Sequence, residues 1–369
     1  MSHEIPNLKT LLGRGRGGGL RSRARGGYGA SGGGSEAARD HAVRGTDQDA
    51  AGSRVSCVEL GYLEDPYAEF FAIQSSTRRL PLLNRGTYVR TSAIDQLVDR
   101  FLATPTSTAK QIVSLGAGTD TRFFRLRDKH PNEILIYHEI DFPTNTAAKL
   151  QSIRRHTELQ DRIGDSHFTM LPTGDSYHSA SYNVHALDLR SLATLSSDSP
   201  LPELPNLSAG LPTLILSEMC LIYIDSSTVS AIMNTLLTRY LKPTTPAAVI
   251  LYEPILPHDA FGRTMISNLS TRNIQLPTLT AYPQLSDQRA RLKKYGFVNG
   301  SKAADTYFIW REWVSQEEKE RVAALEMLDE LEELDLLLRH YCVAWAWRDG
   351  EESTHFSKAW GEVREQEGG

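Results

Sequence analysis

The chain has 369 residues, of which 40% are hydrophobic and 23% are charged, and its formal net charge is −5 at pH 7. A chain of this length and composition can form one large or two modest domains with an apolar core. The small net charge is not typical of a protein whose whole surface binds nucleic acid.

Low-complexity sequence rich in Gly, Arg and Ser fills residues 13–35 (GRGRGGGLRSRARGGYGASGGGS). Such a segment cannot bury an apolar face, so we predict a disordered Arg/Gly-rich tail over residues 1–45. Arg/Gly repeats can bind RNA, and a solvated extension without a dedicated partner is the simpler interpretation.

Residues 46–103 show helical patterns, in which apolar side chains recur on one face. These side chains are Tyr67, Phe70 and Phe71, followed by Ile94, Leu97, Val98 and Phe101.

An apolar run in QIVSLGAGTDT, residues 111–121, meets Gly116-Ala117-Gly118 and then residues that begin helices. This order predicts the first strand of a parallel sheet, which turns sharply into a helix. Glycines have no Cβ, so a ligand can approach the backbone closely there. The start of the helix also offers free N–H groups.

A second apolar strand, from Ile134 to Tyr137, ends in Glu139-Ile140-Asp141. An acid at the tip of a second strand can accept hydrogen bonds from both hydroxyls of a ribose. The glycine turn and this acid together predict a cofactor that contains adenosine.

The glycine turn departs from a dinucleotide site, which has a third glycine where this chain has Thr121. Asp120 would also compete with a phosphate for the N–H groups at the start of the helix. S-adenosylmethionine, which has an amino group and no phosphate, fits better. A nicotinamide oxidoreductase is the alternative that these two residues disfavour.

Two further buried strands, Pro212–Glu218 and Ala247–Glu253, both end in acids, and a helix from Ala231 to Leu241 lies between them. Strands that alternate with helices predict a doubly wound parallel sheet.

The remaining segments complete the pattern around that sheet. Residues 260–294 have helical character, and residues 322–338 predict one long amphipathic helix. The alternation of large and small side chains in residues 341–347 predicts a strand at the closing edge of the sheet.

The three cysteines, Cys57, Cys220 and Cys342, are far apart and have no metal-type spacing. They favour a reducing compartment, so we expect a location in the cytoplasm, with the nucleus as a second location, and no bound metal. No apolar run is long enough to span a bilayer, and we expect neither a signal peptide nor a membrane partner.

The sequence resembles the leucine carboxyl methyltransferase family through motifs that occur in order over residues 46–347. The motifs are Gly61-Tyr62 with Asp65-Pro66-Tyr67, Asn84-Arg85-Gly86 with Arg90, Leu115-Gly116-Ala117-Gly118-Thr119-Asp120-Thr121, Glu139-Ile140-Asp141-Phe142-Pro143, Ser217-Glu218-Met219-Cys220-Leu221-Ile222-Tyr223, Tyr252-Glu253, and Arg339-His340-Tyr341-Cys342.

The resemblance implies an α/β fold of the class I S-adenosylmethionine-dependent methyltransferases. This is a Rossmann-like, seven-stranded, mostly parallel sheet with an antiparallel last strand and helical lid and substrate insertions. Residues 46–348 would form one domain, followed by a C-terminal tail. Within the domain we assign a helical lid to 46–105, a nucleotide-binding core to 106–258, a substrate insertion to 259–295, and closing strands with the amphipathic helix to 296–348. The C-terminal tail would be 349–369.

The family's site residues carry over by position. The resemblance places Gly116 against the methionine portion of the cofactor, Asp141 at the ribose hydroxyls, Asp188-Leu189 around the adenine and Glu218 near the methionine amino group. Arg90 belongs at the carboxylate end, where it holds either the cofactor's carboxylate or the substrate's. Tyr223 lines the methyl-transfer site, and counting back from Gly61-Tyr62 places a further basic contact at Arg54.

The implied reaction is methylation of the C-terminal leucine carboxylate of the type 2A protein phosphatase catalytic subunit, which regulates holoenzyme assembly. The enzyme would contact that partner's C-terminal tail and active-site face, and would be a monomer that does not bind nucleic acid. One alternative is a related carboxyl methyltransferase that modifies tRNA, although such relatives carry a long repeat propeller that is not seen here. Another is an adaptor that binds RNA through its tail.

Overall fold

A central eight-stranded sheet organises the part of the chain that the computed structural model describes, residues 36–73, 78–105, 108–164, 170–194, 199–351 and 353–368. The strands are β1 (Lys110–Leu115), β2 (Leu135–Asp141), β3 (Tyr177–His178), β4 (Tyr182–Ala186), β5 (Thr213–Glu218), β6 (Ala247–Pro254), β7 (Gly300–Asp305) and β8 (Tyr341–Arg348).

Helices connect these strands. They are α1 (Glu36–Glu59), α2 (Pro81–Ala103), α3 (Arg122–Lys129), α4 (Pro143–Arg155), α5 (Thr157–Ile163), α6 (Ser226–Thr235), α7 (Ala260–Thr271), α8 (Pro277–Ala281), α9 (Leu285–Lys294), α10 (Thr306–Glu312), α11 (Gln316–Leu325), α12 (Leu331–Arg339) and α13 (His355–Trp360). No helix in the described ranges is long and apolar enough to cross a membrane.

The strand order is β3-β4-β2-β1-β5-β6-β8-β7. Strands β4, β2, β1, β5 and β6 are parallel, whereas β8 runs antiparallel to β6. The predicted class I methyltransferase fold is therefore confirmed, with the two-residue β3 added antiparallel at one edge. The edge position predicted for residues 341–347 is wrong, because β7 pairs with the far side of β8 and leaves it inside the sheet.

Neighbouring residues of the strands enter two different apolar clusters, because successive side chains of a strand point to opposite faces of the sheet. Ile112 of β1 joins a cluster that contains Phe101 of α2 and Phe123 of α3. Val113 joins a second cluster that contains Ile232 of α6 and Leu292 of α9. The sheet is thus covered on both faces, and the strand ends remain for a ligand.

The helical patterns predicted for residues 46–103 are confirmed, and Ile94, Leu97, Val98 and Phe101 of α2 are fully buried. Helix α1, however, begins at Glu36. The prediction of a disordered tail is therefore wrong for residues 36–45, and its remaining part, with the Arg/Gly repeat, lies outside the described residues.

The single helix predicted for residues 322–338 is wrong, because α11 ends at Leu325 and α12 begins at Leu331. Glu326, between them, is buried and accepts hydrogen bonds from Asn84 Nδ2 at 2.8 Å and Arg78 Nη2 at 2.6 Å. A buried carboxylate is stable only where donors reach it, so the chain turns inwards at Glu326 to meet Asn84 and Arg78. A continuous helix would not bring Glu326 to these donors.

The prediction of a tail over residues 349–369 is also wrong, because α13 packs into the core. Phe356 and Trp360 have no exposed surface. The Phe356 ring stacks on Phe101 of α2 with 5.0 Å between centroids, and the Trp360 indole donates to the Leu97 carbonyl at 2.9 Å.

We expect Trp360→Ala to lower the free energy of unfolding by about 3–5 kcal/mol, because it empties a buried volume and removes the indole hydrogen bond to the Leu97 carbonyl. Urea denaturation followed by circular dichroism measures this. Glu362→Ala, at an exposed position in the same segment, is the control and should change stability by less than about 0.5 kcal/mol. Equal stability of the two variants would contradict the packing of α13.

Candidate active site

A cavity of about 410 Å³ opens where the parallel strands end. Its volume is within the range of about 300–1,000 Å³ that is common for small-molecule sites. The structure brings together around this one cavity every site residue predicted from the sequence: Arg54, Arg90, Gly116, Asp141, Asp188, Leu189, Glu218 and Tyr223.

The glycine turn after β1 has the backbone that only glycine adopts readily. Gly116 has φ +65° and Gly118 has φ +44°. A Cβ at position 116 would also lie 2.5 Å from the Cys220 Sγ atom. Burial raises the pKa of the Cys220 thiol, so this cysteine stays protonated and acts as packing beside the turn.

Asp141, at the end of β2, turns its carboxylate towards the same loop. Its Oδ2 accepts from the Gly118 N–H at 2.7 Å, and its Oδ1 accepts from the Phe142 N–H at 2.6 Å and from Asn145 Nδ2 at 3.2 Å. Burial raises the pKa of Asp141 to about 6, although these donors act in the opposite direction. The carboxylate is thus ionised at neutral pH and close to its titration range.

A second carboxylate, which the sequence did not reveal, lies on the turn from the other side. Asp47 of α1 accepts from both the N–H and the hydroxyl of Thr119, at 2.7 and 2.8 Å. Burial raises its pKa as well. Helix α1 therefore packs directly over the glycine turn.

Glu218, at the tip of β5, forms a close ion pair with Arg90 of α2. The Arg90 guanidinium also lies over the ring of Tyr252, with Cζ 4.7 Å from the centroid. Of the three guanidinium nitrogens of Arg90, only Nε hydrogen-bonds to another described residue. Its two Nη groups can therefore donate to a carboxylate that enters the cavity.

Behind Glu218 lies the guanidinium of Arg122, which has no exposed surface. It pairs with Glu218 at 3.3 Å, with Asp120 at 2.5 Å and with Asp95 of α2 at 3.0 Å. Burial alone would raise the pKa of Glu218, but Arg90 and Arg122 outweigh it and lower that pKa. Glu218 is consequently a carboxylate held in place from two sides.

Asp120 behaves as predicted at the start of α3. Its Oδ1 accepts from the Arg122 N–H at 3.0 Å, so a carboxylate of the protein already occupies the helix terminus where a phosphate would bind. This contact disfavours a dinucleotide in the cavity.

Two of the other predicted residues are paired within the wall of the cavity. Asp188 accepts from the Arg190 N–H at 2.9 Å and begins the short helix Leu189–Leu192. Arg54 of α1 lies 3.3 Å from Asp65.

Tyr223 is the last residue of the short helix Leu221–Tyr223, which follows β5. Burial raises the pKa of its hydroxyl, which therefore remains a hydrogen-bond donor at neutral pH.

Comparison with known proteins agrees with this geometry. The family model described as leucine carboxyl methyltransferase matches residues 42–237. A protein of Aspergillus fumigatus called leucine carboxyl methyltransferase 1 is 48% identical, with 99% of each chain covered. The protein of the same name from Emericella nidulans is 50% identical and covers 98% of this chain and 97% of its own.

The chain belongs to the leucine carboxyl methyltransferase family. A homologue of the same name from Arabidopsis thaliana is 36% identical over 84% of this chain and 90% of its own. Among solved structures, a Haemonchus contortus phosphoethanolamine N-methyltransferase 2 with S-adenosylhomocysteine has a TM-score of 0.45 at 14% identity, over 85% of this chain and 61% of that chain.

The site of this leucine carboxyl methyltransferase family member includes residues that sequence reasoning missed. They are Asp47, Asp95, Arg122 and Tyr252. Tyr252 lay in a motif already noted, but its ring beneath Arg90 depends on the pairing of β5 with β6. The other three are charged residues on helices, a pattern that normally indicates a solvated face.

We expect Arg122→Met to destabilise the protein by about 3–5 kcal/mol, because it leaves Asp95, Asp120 and Glu218 buried with fewer countercharges. Urea denaturation measures the loss. The matched control is Arg155→Met, at an exposed position at the end of α4, which should change stability by less than about 0.5 kcal/mol. A similar midpoint for both variants would show that the buried charges do not depend on Arg122.

Proposed function

We propose that this protein transfers a methyl group from S-adenosylmethionine to the α-carboxylate of the C-terminal leucine of the type 2A protein phosphatase catalytic subunit. The product would regulate assembly of the phosphatase holoenzyme. The coarser part rests on family membership: the protein is a methyltransferase whose cofactor is S-adenosylmethionine. One observation carries the proposal, namely that Arg90 presents two donor groups to the cavity that contains the glycine turn.

The residues present fit that cofactor. We assign the ribose hydroxyls to Asp141, the adenine to Asp188 and Leu189, and the methionine portion to Gly116. Glu218 would accept from the amino group, and Arg54 would attract the carboxylate. Asp141 already accepts three hydrogen bonds, and a carboxylate has about four acceptor positions. Binding both ribose hydroxyls therefore requires it to release one donor, and Asn145, at 3.2 Å, is the weakest.

The chemistry proposed here requires little from the protein beyond positioning. The cofactor supplies an electrophilic methyl group on a sulfonium. A leucine carboxylate is already ionised at neutral pH, so the site needs no general base. The protein must remove water from the carboxylate and align one of its oxygens, and such alignment can contribute roughly 7–11 kcal/mol.

Arg90 and Tyr223 are the residues that we assign to this alignment. Arg90 can donate from its two Nη groups to the leucine carboxylate or to the cofactor's own carboxylate, each such bond contributing about 1.5–3 kcal/mol. Tyr223, whose raised pKa keeps its hydroxyl protonated, can donate to the acceptor oxygen. Tyr252 lies beneath the guanidinium and limits where Arg90 can move.

Cofactor affinity should fall in acid because of Asp141. Burial raises its pKa to about 6, and only the ionised carboxylate can accept from both hydroxyls. Above that pH the affinity should be constant, and below it the Kd should rise by up to about tenfold per pH unit. Calorimetric titration with S-adenosylhomocysteine between pH 5 and pH 8 measures this.

Asp141→Asn should bind more weakly at every pH and lose this pH dependence. Asp47→Asn is the matched control, because Asp47 is a second carboxylate beside the glycine turn with a raised pKa. It should keep the acid-side slope. The assignment of Asp141 fails if the slope persists in Asp141→Asn or disappears only in Asp47→Asn.

The proposed substrate is tested by transfer of labelled methyl groups to the phosphatase catalytic subunit. We expect incorporation into the intact subunit and none into a subunit that lacks only its terminal leucine. Alkaline release of the label as methanol would show that a carboxyl ester had formed. Equal labelling of both subunits would place the methyl group elsewhere and overturn the proposal.

The same assay examines Arg90. Arg90→Ala should lower kcat/KM by at least about a hundredfold, because the substitution removes two charge-assisted hydrogen bonds. Calorimetry on that variant tells the two carboxylates apart: unchanged S-adenosylhomocysteine affinity assigns Arg90 to the leucine, and weakened affinity assigns it to the cofactor.

A further inference from the structure

One face of α1 carries a row of polar residues that run along the cavity and pair with residues in or beside its wall. Helical residues three, four or seven positions apart share a face. The row is Glu36, Asp40, Arg44, Asp47 and Arg54, and its last four members line the cavity. Its contacts progress from the loop after β4, through the end of β2, to the glycine turn.

The first contact of the row fixes Arg190, which follows Asp188 in the short helix after β4. Asp40 accepts from both terminal nitrogens of that guanidinium, at 2.7 and 3.1 Å. Asp188 accepts from its Nη2 at 2.6 Å and from its Nε at 3.0 Å. Glu36, one turn earlier in α1, also accepts from Nη1 of Arg190 at 3.0 Å. Arg190 thus joins Asp188 to two carboxylates of α1, and α1 sets the position of Asp188 through it.

The second contact concerns Phe142, the residue directly after Asp141. The guanidinium of Arg44 lies 5.8 Å from the centre of the Phe142 ring, and that of Arg190 lies 5.7 Å from it. Arg44 also donates to the hydroxyl of Thr144 at 3.3 Å and to the Asp40 carbonyl at 3.2 Å. The ring is thereby held between the helix and the loop.

These contacts converge on the end of the cavity that we assign to the adenine. Asp40, Arg44, Phe142, Leu189 and Arg190 all line it. Residues 36–44 of α1 would therefore help to enclose a base placed between the tips of β2 and β4.

We propose that Asp40 and Arg44 are positioning residues for the cofactor: through Arg190 and Phe142 they fix the adenine end of the site, and cofactor retention depends on them. The inference rests on the proposed cofactor and extends it to a segment that the composition assigns to a tail. It concerns the binding of the nucleoside and is independent of which protein accepts the methyl group.

The test uses the full chain with Asp40→Ala and Arg44→Ala, and S-adenosylhomocysteine as the probe. Calorimetry should show a Kd about five- to twentyfold higher for each variant, and stopped-flow displacement should assign most of that change to faster dissociation. The KM for the methyl donor should rise by a similar factor, whereas kcat should change much less. Asp40→Glu, which keeps the carboxylate, should recover part of the affinity.

His41→Ala is the matched control, because His41 lies on the same turn of α1 but is exposed and does not line the cavity. It should bind as the wild type does. Binding by the wild type tests the cofactor itself, so failure there is distinguishable from failure of this inference. The inference is overturned if Asp40→Ala and Arg44→Ala both bind S-adenosylhomocysteine with wild-type affinity. It is also overturned if His41→Ala weakens binding equally, or if kcat falls by as large a factor as the affinity.

Discussion

The buried guanidinium of Arg122 is the interaction on which the site most depends. It connects the tip of β5 through Glu218, the start of α3 through Asp120, and α2 through Asp95. Taking one such charge out of water is unfavourable by several kcal/mol, so it persists only because each of its nitrogens faces a carboxylate. Any arrangement that separated these three elements would leave buried charges unpaired.

The ion pairs around Arg122 extend to Arg90 and Arg54, the two arginines that we assign to binding carboxylate groups of the ligands. From Glu218 the chain of ion pairs reaches Arg90, and from Asp95 it passes through Arg125 and Asp65 to Arg54. Four arginines (54, 90, 122 and 125) face four carboxylates (65, 95, 120 and 218), so the cluster is neutral before a ligand enters. A zwitterionic amino acid, which adds one charge of each sign, preserves that balance.

The sequence predicted what depends on local order along the chain. Asp141 and Glu218 end apolar strands, and parallel pairing with β1 brings both tips to one edge of the sheet. Arg122 and Asp95 could not be predicted in this way, because charged residues on helices normally face water and only tertiary packing brings these two together. The break at Glu326 had the same origin, since its partners Arg78 and Asn84 are distant in sequence.

The start of helix α1, residues 36–45, escaped prediction for a related reason. Its buried residues, Ala51, Val55, Ser56 and Cys57, all lie in its second half. The first half has no apolar face to bury, so composition cannot tell it from a tail, and its contacts with the loop after β4 and with the glycine turn are hydrogen bonds and ion pairs. Such contacts exist only after the sheet has placed their partners. Coupling between two equilibria is reciprocal. The free energy by which a bound cofactor stabilises the first half of α1 is therefore the free energy by which the folded first half strengthens cofactor binding.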